Sequence, residues 1–160
     1  MVLISPLIIS HRLTNTLNRH FDWVAVEKKG ECMASNTSLG AHVFLDYMHA
    51  KFSDQAEYRW LFNLMRETVA QSSATEVHAH LAPFDGSTSP PGFAAVVLID
   101  ESHITAHCYA DRGLLAIDCF TCGQTDPEHI ADALHERLME RMPDIVCLRK
   151  ERVNRFITGA

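Results

Sequence analysis

Residues 92–122 read GFAAVVLIDESHITAHCYADRGLLAIDCFTC, and the fold turns on them. "FAAVVLI" is an apolar run of strand length and reads as a buried strand. "SHITAH" and "GLLAIDCFTC" are two further strands, separated by a turn around Asp111–Gly113. Strands joined by connections this short pair antiparallel, because a parallel pair needs a long crossover.

Working outward, "AHVFLDY" is a strand of mixed polarity, and Ser53 reads as the N-cap of a helix with Asp54 beside its N-terminus. Trp60, Leu61, Leu64, Met65 and Val69 recur at three and four, which predicts an amphipathic helix over 54–71. "TEVHAHLA" alternates, with Thr75, Val77, Ala79 and Leu81 on one face and Glu76, His78 and His80 on the other. "PFDGSTSPPG" has the composition of a loop.

On the far side, Asp126-Pro127-Glu128 starts a second helix, with the proline at its first helical position. Ile130, Leu134, Leu138 and Met142 form its apolar stripe, and Pro143 stops it. "IVCLRKERVNRF" closes the chain as a charged edge strand. The order from residue 40 is β-α-β-β-β-β-α-β. It predicts an α+β two-layer sandwich: an antiparallel sheet with both helices packed on one face. Residues 1–38, where "VLISPLIIS" reads as strand or short helix, are taken as an N-terminal extension to a domain spanning 39–160.

The totals bound the function. A net charge of −6, from 14 basic and 20 acidic residues, disfavours nucleic acid as a partner, since phosphate binding wants a basic face. No run approaches the ~20 apolar residues of a membrane span. The apolar N-terminus lacks the basic flank and cleavage signal of a secretory leader. Five cysteines without dense even spacing suit a reduced cytoplasmic protein.

The reactive residues crowd into "LIDESHITAHCYAD" at 98–111: Asp100, Glu101, Ser102, His103, His107 and Cys108. Two familiar chemistries compete. A zinc site would use Cys119 with Cys122, or His103 with His107. In a strand, residues three apart point to opposite faces and residues four apart lie about 13 Å apart, so neither pair suits one ion and no metal is expected. A serine hydrolase would use Ser102, but no G-x-S-x-G elbow surrounds it. Taken singly, Ser102 is a turn residue, His107 a half-buried histidine and Cys122 a small buried side chain.

Together, "ESHITAH" followed by "GLLAIDCFTCG" resembles the prokaryotic S-adenosylmethionine decarboxylase proenzymes. That family carries an E-S-H-x-x-x-H segment, a turn, then a strand ending F-T-C-G. Ser102, His107 and Cys122 fall at the family's spacing of five and twenty, and the resemblance runs from about Leu39 to the C-terminus. It implies a precursor that cuts itself between Glu101 and Ser102, with His107 as the acid/base residue of processing. Ser102 becomes a pyruvoyl group, the covalent cofactor that forms a Schiff base with the substrate amine. Cys122 returns a proton to the substrate α-carbon. The resemblance further implies a cytoplasmic homodimer with active sites near the subunit interface, serving polyamine and spermidine biosynthesis.

The match departs after the second histidine. The family reads H-T-W-P-E where this chain has His107-Cys108-Tyr109-Ala110-Asp111. Asp111 keeps the acid that helps hold the nucleoside ribose, one methylene shorter, and Tyr109 keeps an aromatic ring. Ala94 stands where the family often has a second serine, and the loop over 83–91 is longer and proline-rich. A relative with an altered nucleoside pocket could instead decarboxylate arginine or ornithine, since specificity resides in the remote pocket. An uncleaved regulatory homologue is the third reading.

Overall fold

The computed structural model describes residues 37–158, so the expected N-terminal extension lies outside the described residues but for its last two positions. The elements are β1 (Thr37–Met48), α1 (Gln55–Ala70), β2 (Glu76–Phe84), β3 (Gly92–Ile99), β4 (Ser102–Tyr109), β5 (Leu114–Cys122), α2 (Pro127–Arg141) and β6 (Val146–Thr158). This is the expected order. The strands form one six-stranded sheet in the order β2-β3-β4-β5-β1-β6, with every pair antiparallel.

Alternation along each strand divides the sheet into two faces. Val43, Leu45 and Tyr47 on β1, Ile104 and Ala106 on β4, and Leu115, Ile117 and Cys119 on β5 are all buried beneath the helices. Helix α1 contributes Leu61, Leu64, Met65 and Val69 to this core, and α2 contributes Ile130, Leu134 and Leu138. Truncating a fully buried leucine such as Leu134 to alanine removes about 2–5 kcal/mol of stability. Helix α1 packs mainly on β2 and β3, α2 on β1 and β5, so the helices share one face. The opposite face carries the intervening residues: Gly40, His42, Phe44, Ala94, His103, Thr105, His107, Tyr109, Ala116, Asp118, Phe120 and Cys122.

Several local expectations are corrected. Asp54, not Ser53, is the N-cap of α1: its backbone is extended, and Oδ1 accepts the amides of Ala56 and Glu57 at 2.8 and 3.0 Å. Serine and aspartate both cap well, and neighbouring candidates are not separated by residue type. The loop after β2 is shorter than its composition suggests, because Pro83 and Phe84 still pair with β3; Pro83 is tolerated on an edge strand. Ala79 and Leu81 pack on the core as their alternation requires. Val77 is 67% exposed, because the β2–β3 register shifts between Glu76 and His78. Asp126 caps α2 through Glu128 N–H, and β6 is an edge strand, both as read.

Candidate active site

The β3–β4 hairpin closes with only two residues, Asp100 and Glu101, between the paired Ile99 and Ser102. Glu101 has φ +61°, the left-handed region, which costs an L-residue about 1–2 kcal/mol relative to ordinary backbone. Glycine is the usual occupant of such a position. The hairpin tip is anchored from outside by Asp100 N–H, which donates to Thr75 O at 3.0 Å. The peptide bond before Ser102 therefore sits in a conformation its residues do not favour, held there by the surrounding sheet.

Ser102 opens β4 beside the end of β5. Its half-buried Oγ accepts a 2.8 Å hydrogen bond from the Cys122 main-chain N–H. Residues twenty apart in sequence are thus brought into contact. Alternation sends the Cys122 side chain to the open face, where its sulfur lies over Gly40 of β1. The serine oxygen meets the backbone of Cys122, while the thiol occupies the other side of the sheet plane. Cys119, three residues earlier, is fully buried on the helix face, and burial drives its thiol far above the usual range. The two cysteines diverge as strand geometry requires. Burial, with the Asp111 charge adding to it, pushes the Cys108 thiol up to about 12.

The remaining expected site residues lie elsewhere on the same strand. His107 is exposed on the open face, between Ala94 of β3 and Ala116 of β5. Five residues of strand separate it from Ser102, about 17 Å, and the two side chains leave opposite faces, so they do not meet within one chain. Tyr109 and Asp111 lie at the far end of β4, about 23 Å or more from Ser102. Arg112 joins them there, 5.5 Å over the Tyr109 ring and 4.0 Å from Asp111 Oδ2.

A second cluster was not anticipated. His42 of β1 is buried on the open face with Nδ1 3.2 Å from Arg155 Nη1. The guanidinium can only donate, so Nδ1 accepts and the ring proton sits on Nε2. That atom points at Asp118 Oδ1, 3.3 Å away, at an angle that makes no hydrogen bond. Asp118 Oδ2 accepts from Thr105 Oγ1 at 3.2 Å. The His103 ring stands edge-on to His42 at 6.0 Å and tilted on Phe120 at 5.4 Å. Burial lowers the pKa of both histidines, against the opposing pull of the Asp118 charge. The polar positions of "AHVF" and "AIDCF" carried the signal, since alternation alone places them on one face. What was missing was that β1 lies against β5.

Among the described residues, no helix is long and apolar enough to cross a membrane.

Comparison with known proteins gives one consistent result. A family model described as S-adenosylmethionine decarboxylase matches residues 41–150. The chain is 35% identical over 115 residues to the S-adenosylmethionine decarboxylase proenzyme of Symbiobacterium thermophilum, covering 71% of this chain and 84% of that one. It is 34% identical over 99 residues to the proenzyme of that name from Brevibacillus brevis, covering 61% and 71%. In fold it is similar to the crystal structure of the adenosylmethionine decarboxylase from Aquifex aeolicus, with a TM-score of 0.56 and 24% identity over 76% of this chain and 93% of that one.

Proposed function

Because this chain belongs to the S-adenosylmethionine decarboxylase family, we propose that it cuts itself between Glu101 and Ser102 and then releases the α-carboxyl of S-adenosylmethionine as carbon dioxide. The observation that carries this reading is the hydrogen bond from Cys122 N–H to Ser102 Oγ, made directly beside the left-handed Glu101. A nucleophile, a strained peptide bond and a thiol-bearing residue meet at one hairpin tip.

The processing step consumes one water and releases one ammonia, with the serine hydroxyl proton passing to the nitrogen that the acyl group leaves. Ser102 Oγ attacks the Glu101 carbonyl carbon, and the acyl group passes from the Ser102 nitrogen to its oxygen. The Cys122 amide occupies one lone pair of that oxygen and fixes its direction. Loss of the residue-102 α-proton then expels Glu101 as a free carboxylate. Water replaces the nitrogen, releasing ammonia and leaving a ketone. A serine in contact with Cys122 is a fitting precursor for that group. The pyruvoyl ketone supplies the electron sink for the breaking carbon–carbon bond. Cutting the hairpin also frees the start of β4, which lets position 102 turn toward the open face where the Cys122 thiol lies. Cys122 delivers a proton to the substrate α-carbon.

His107, Tyr109 and Asp111 do not reach the Ser102 of their own chain. The reading therefore includes a homodimer formed through the open faces, in which His107 of the partner subunit serves processing and its Tyr109–Asp111 segment holds the nucleoside. The four described cysteines are unpaired, which fits a reducing cytoplasm.

Intact mass during incubation of fresh protein tests the cleavage. A single chain that persists at 18.0 kDa overturns it. Carbon dioxide release from S-adenosylmethionine, arginine and ornithine tests the substrate, and turnover of an amino acid alone overturns the sulfonium reading. Mixing Ser102→Ala with His107→Ala protein tests the shared site: the His107→Ala chain should be cut only in the mixture. Cutting of that variant alone at the normal rate sinks the trans arrangement.

A further inference from the structure

Gly40 sits in the interior of β1, directly opposite Cys122 of β5 on one side and Arg155 of β6 on the other. Glycine weakens a strand interior, and there it often marks a close approach of other groups. Its φ is not in the left-handed region, so backbone conformation does not require glycine here. Space does. A Cβ at position 40 would lie 2.8 Å from the Thr121 carbonyl oxygen, 3.2 Å from Cys122 Sγ and 3.5 Å from the Phe120 ring. The first contact is closer than a carbon and a carbonyl oxygen tolerate, and Thr121 O belongs to backbone that cannot rotate away.

The three neighbours define a notch on the open face. Cys122 Sγ forms one wall. Phe120, with the Arg155 guanidinium 5.3 Å above its ring, forms the other. The floor is the bare Cα of Gly40. The notch is braced by main-chain bonding, because Gly123 N–H, one residue past Cys122, donates to Leu39 O at 3.2 Å. The segment 121–123 is thus held against 39–40 by main-chain contact, and Cys122 in turn donates its amide to Ser102. Any residue at 40 that pushes the thiol or the Thr121 carbonyl shifts the group that Ser102 leans on.

We propose that Gly40 is a positioning residue for Cys122: the missing side chain holds open the seat in which the thiol meets the reacting carbon. This rests on the proton-donor reading of Cys122, and its test is arranged to separate the two. In a Ser102→Ala background, where the chain stays intact, alkylation of Cys122 by iodoacetamide is followed by peptide mass spectrometry with and without Gly40→Ala. Cys147, half-buried on β6, and the buried Cys108 serve as internal references for an unchanged fold. The rate at Cys122 should change by about tenfold with the references unmoved, since the added carbon bears on the sulfur itself.

In the Ser102-containing enzyme, Gly40→Ala should lower kcat by about a hundredfold with KM nearly unchanged, the effect of misplacing a reacting group by about 1 Å. Equal Cys122 alkylation in both proteins overturns the proposal. Altered alkylation with unaltered turnover leaves Gly40 as the seat of the thiol and overturns the catalytic reading of Cys122 instead. If Gly40→Ala does not fold, the Gly40→Ala/Cys122→Ala double variant decides. Recovered folding shows that the sulfur contact was the obstacle, and failure to recover assigns Gly40 to strand packing alone.

Discussion

Replacing Glu101 by glycine isolates the contribution of backbone strain to processing. At φ +61° the native residue carries about 1–2 kcal/mol that glycine does not. Cleavage of the 101–102 bond releases the turn, so the strain is discharged on the way to the ester. If it is fully relieved at the transition state, removing it from the precursor raises the barrier by the same amount and slows cleavage about 5- to 30-fold. Glu101→Ala separates this from any role of the carboxylate. Alanine keeps a Cβ and therefore the strain, so its cleavage rate should stay within about threefold of the native chain. The assay is the time course of intact mass for freshly purified precursor, all three proteins in parallel at one temperature. Glycine cutting as fast as alanine would refute strain as a driving force. Both slowing alike would assign the effect to the lost carboxylate.

Further outcomes follow from the same geometry. Ser102→Ala should remain one chain and leave the Cys122 amide without its acceptor, at about 1 kcal/mol by chemical denaturation. Cys122→Ala should still be cut, as seen by mass, but release no carbon dioxide. Asp54→Ala removes the two capping hydrogen bonds of α1 and should cost about 1 kcal/mol, a drop of about 2–4 °C in Tm for a chain of this size. Acid should destabilise the fold through His42 and His103. Their folded pKa values lie below the unfolded value of about 6.5, so the unfolded chain takes up protons first. That share of stability is complete above about pH 6.5 and is lost as pH falls below it. His42→Gln should flatten this part of a Tm-against-pH curve, and an unchanged slope would remove the cluster from the account. The groups facing His42 are Asp118, Arg155 and His103, so the slope should also depend on salt.

Much of this protein was legible along the chain because the relevant physics is local. The 3.6-residue recurrence of Leu61, Leu64, Met65 and Val69 places α1, and Asp126-Pro127-Glu128 starts α2 where the structure has it. The apolar run and the turn signal within residues 92–122 give three strands, and the spacing of Ser102, His107 and Cys122 points to a family. Neighbouring caps such as Ser53 and Asp54 are not separated by residue type, because either side chain can cap the amides two and three residues beyond it and only the path of the preceding chain chooses.

Residues far apart in sequence meet only through strand order, and that was decided in three dimensions. β1 inserts between β5 and β6, which sets Gly40 beneath the Cys122 thiol and His42 beside Asp118. Pairing β4 with β5 joins Ser102 to Cys122, while the extended rise of β4 holds His107 and Asp111 away from that serine. A strand carries five residues over about 17 Å and reverses its face at each step. Sequence therefore named the candidate groups, and the sheet decided which of them lie together within a single chain.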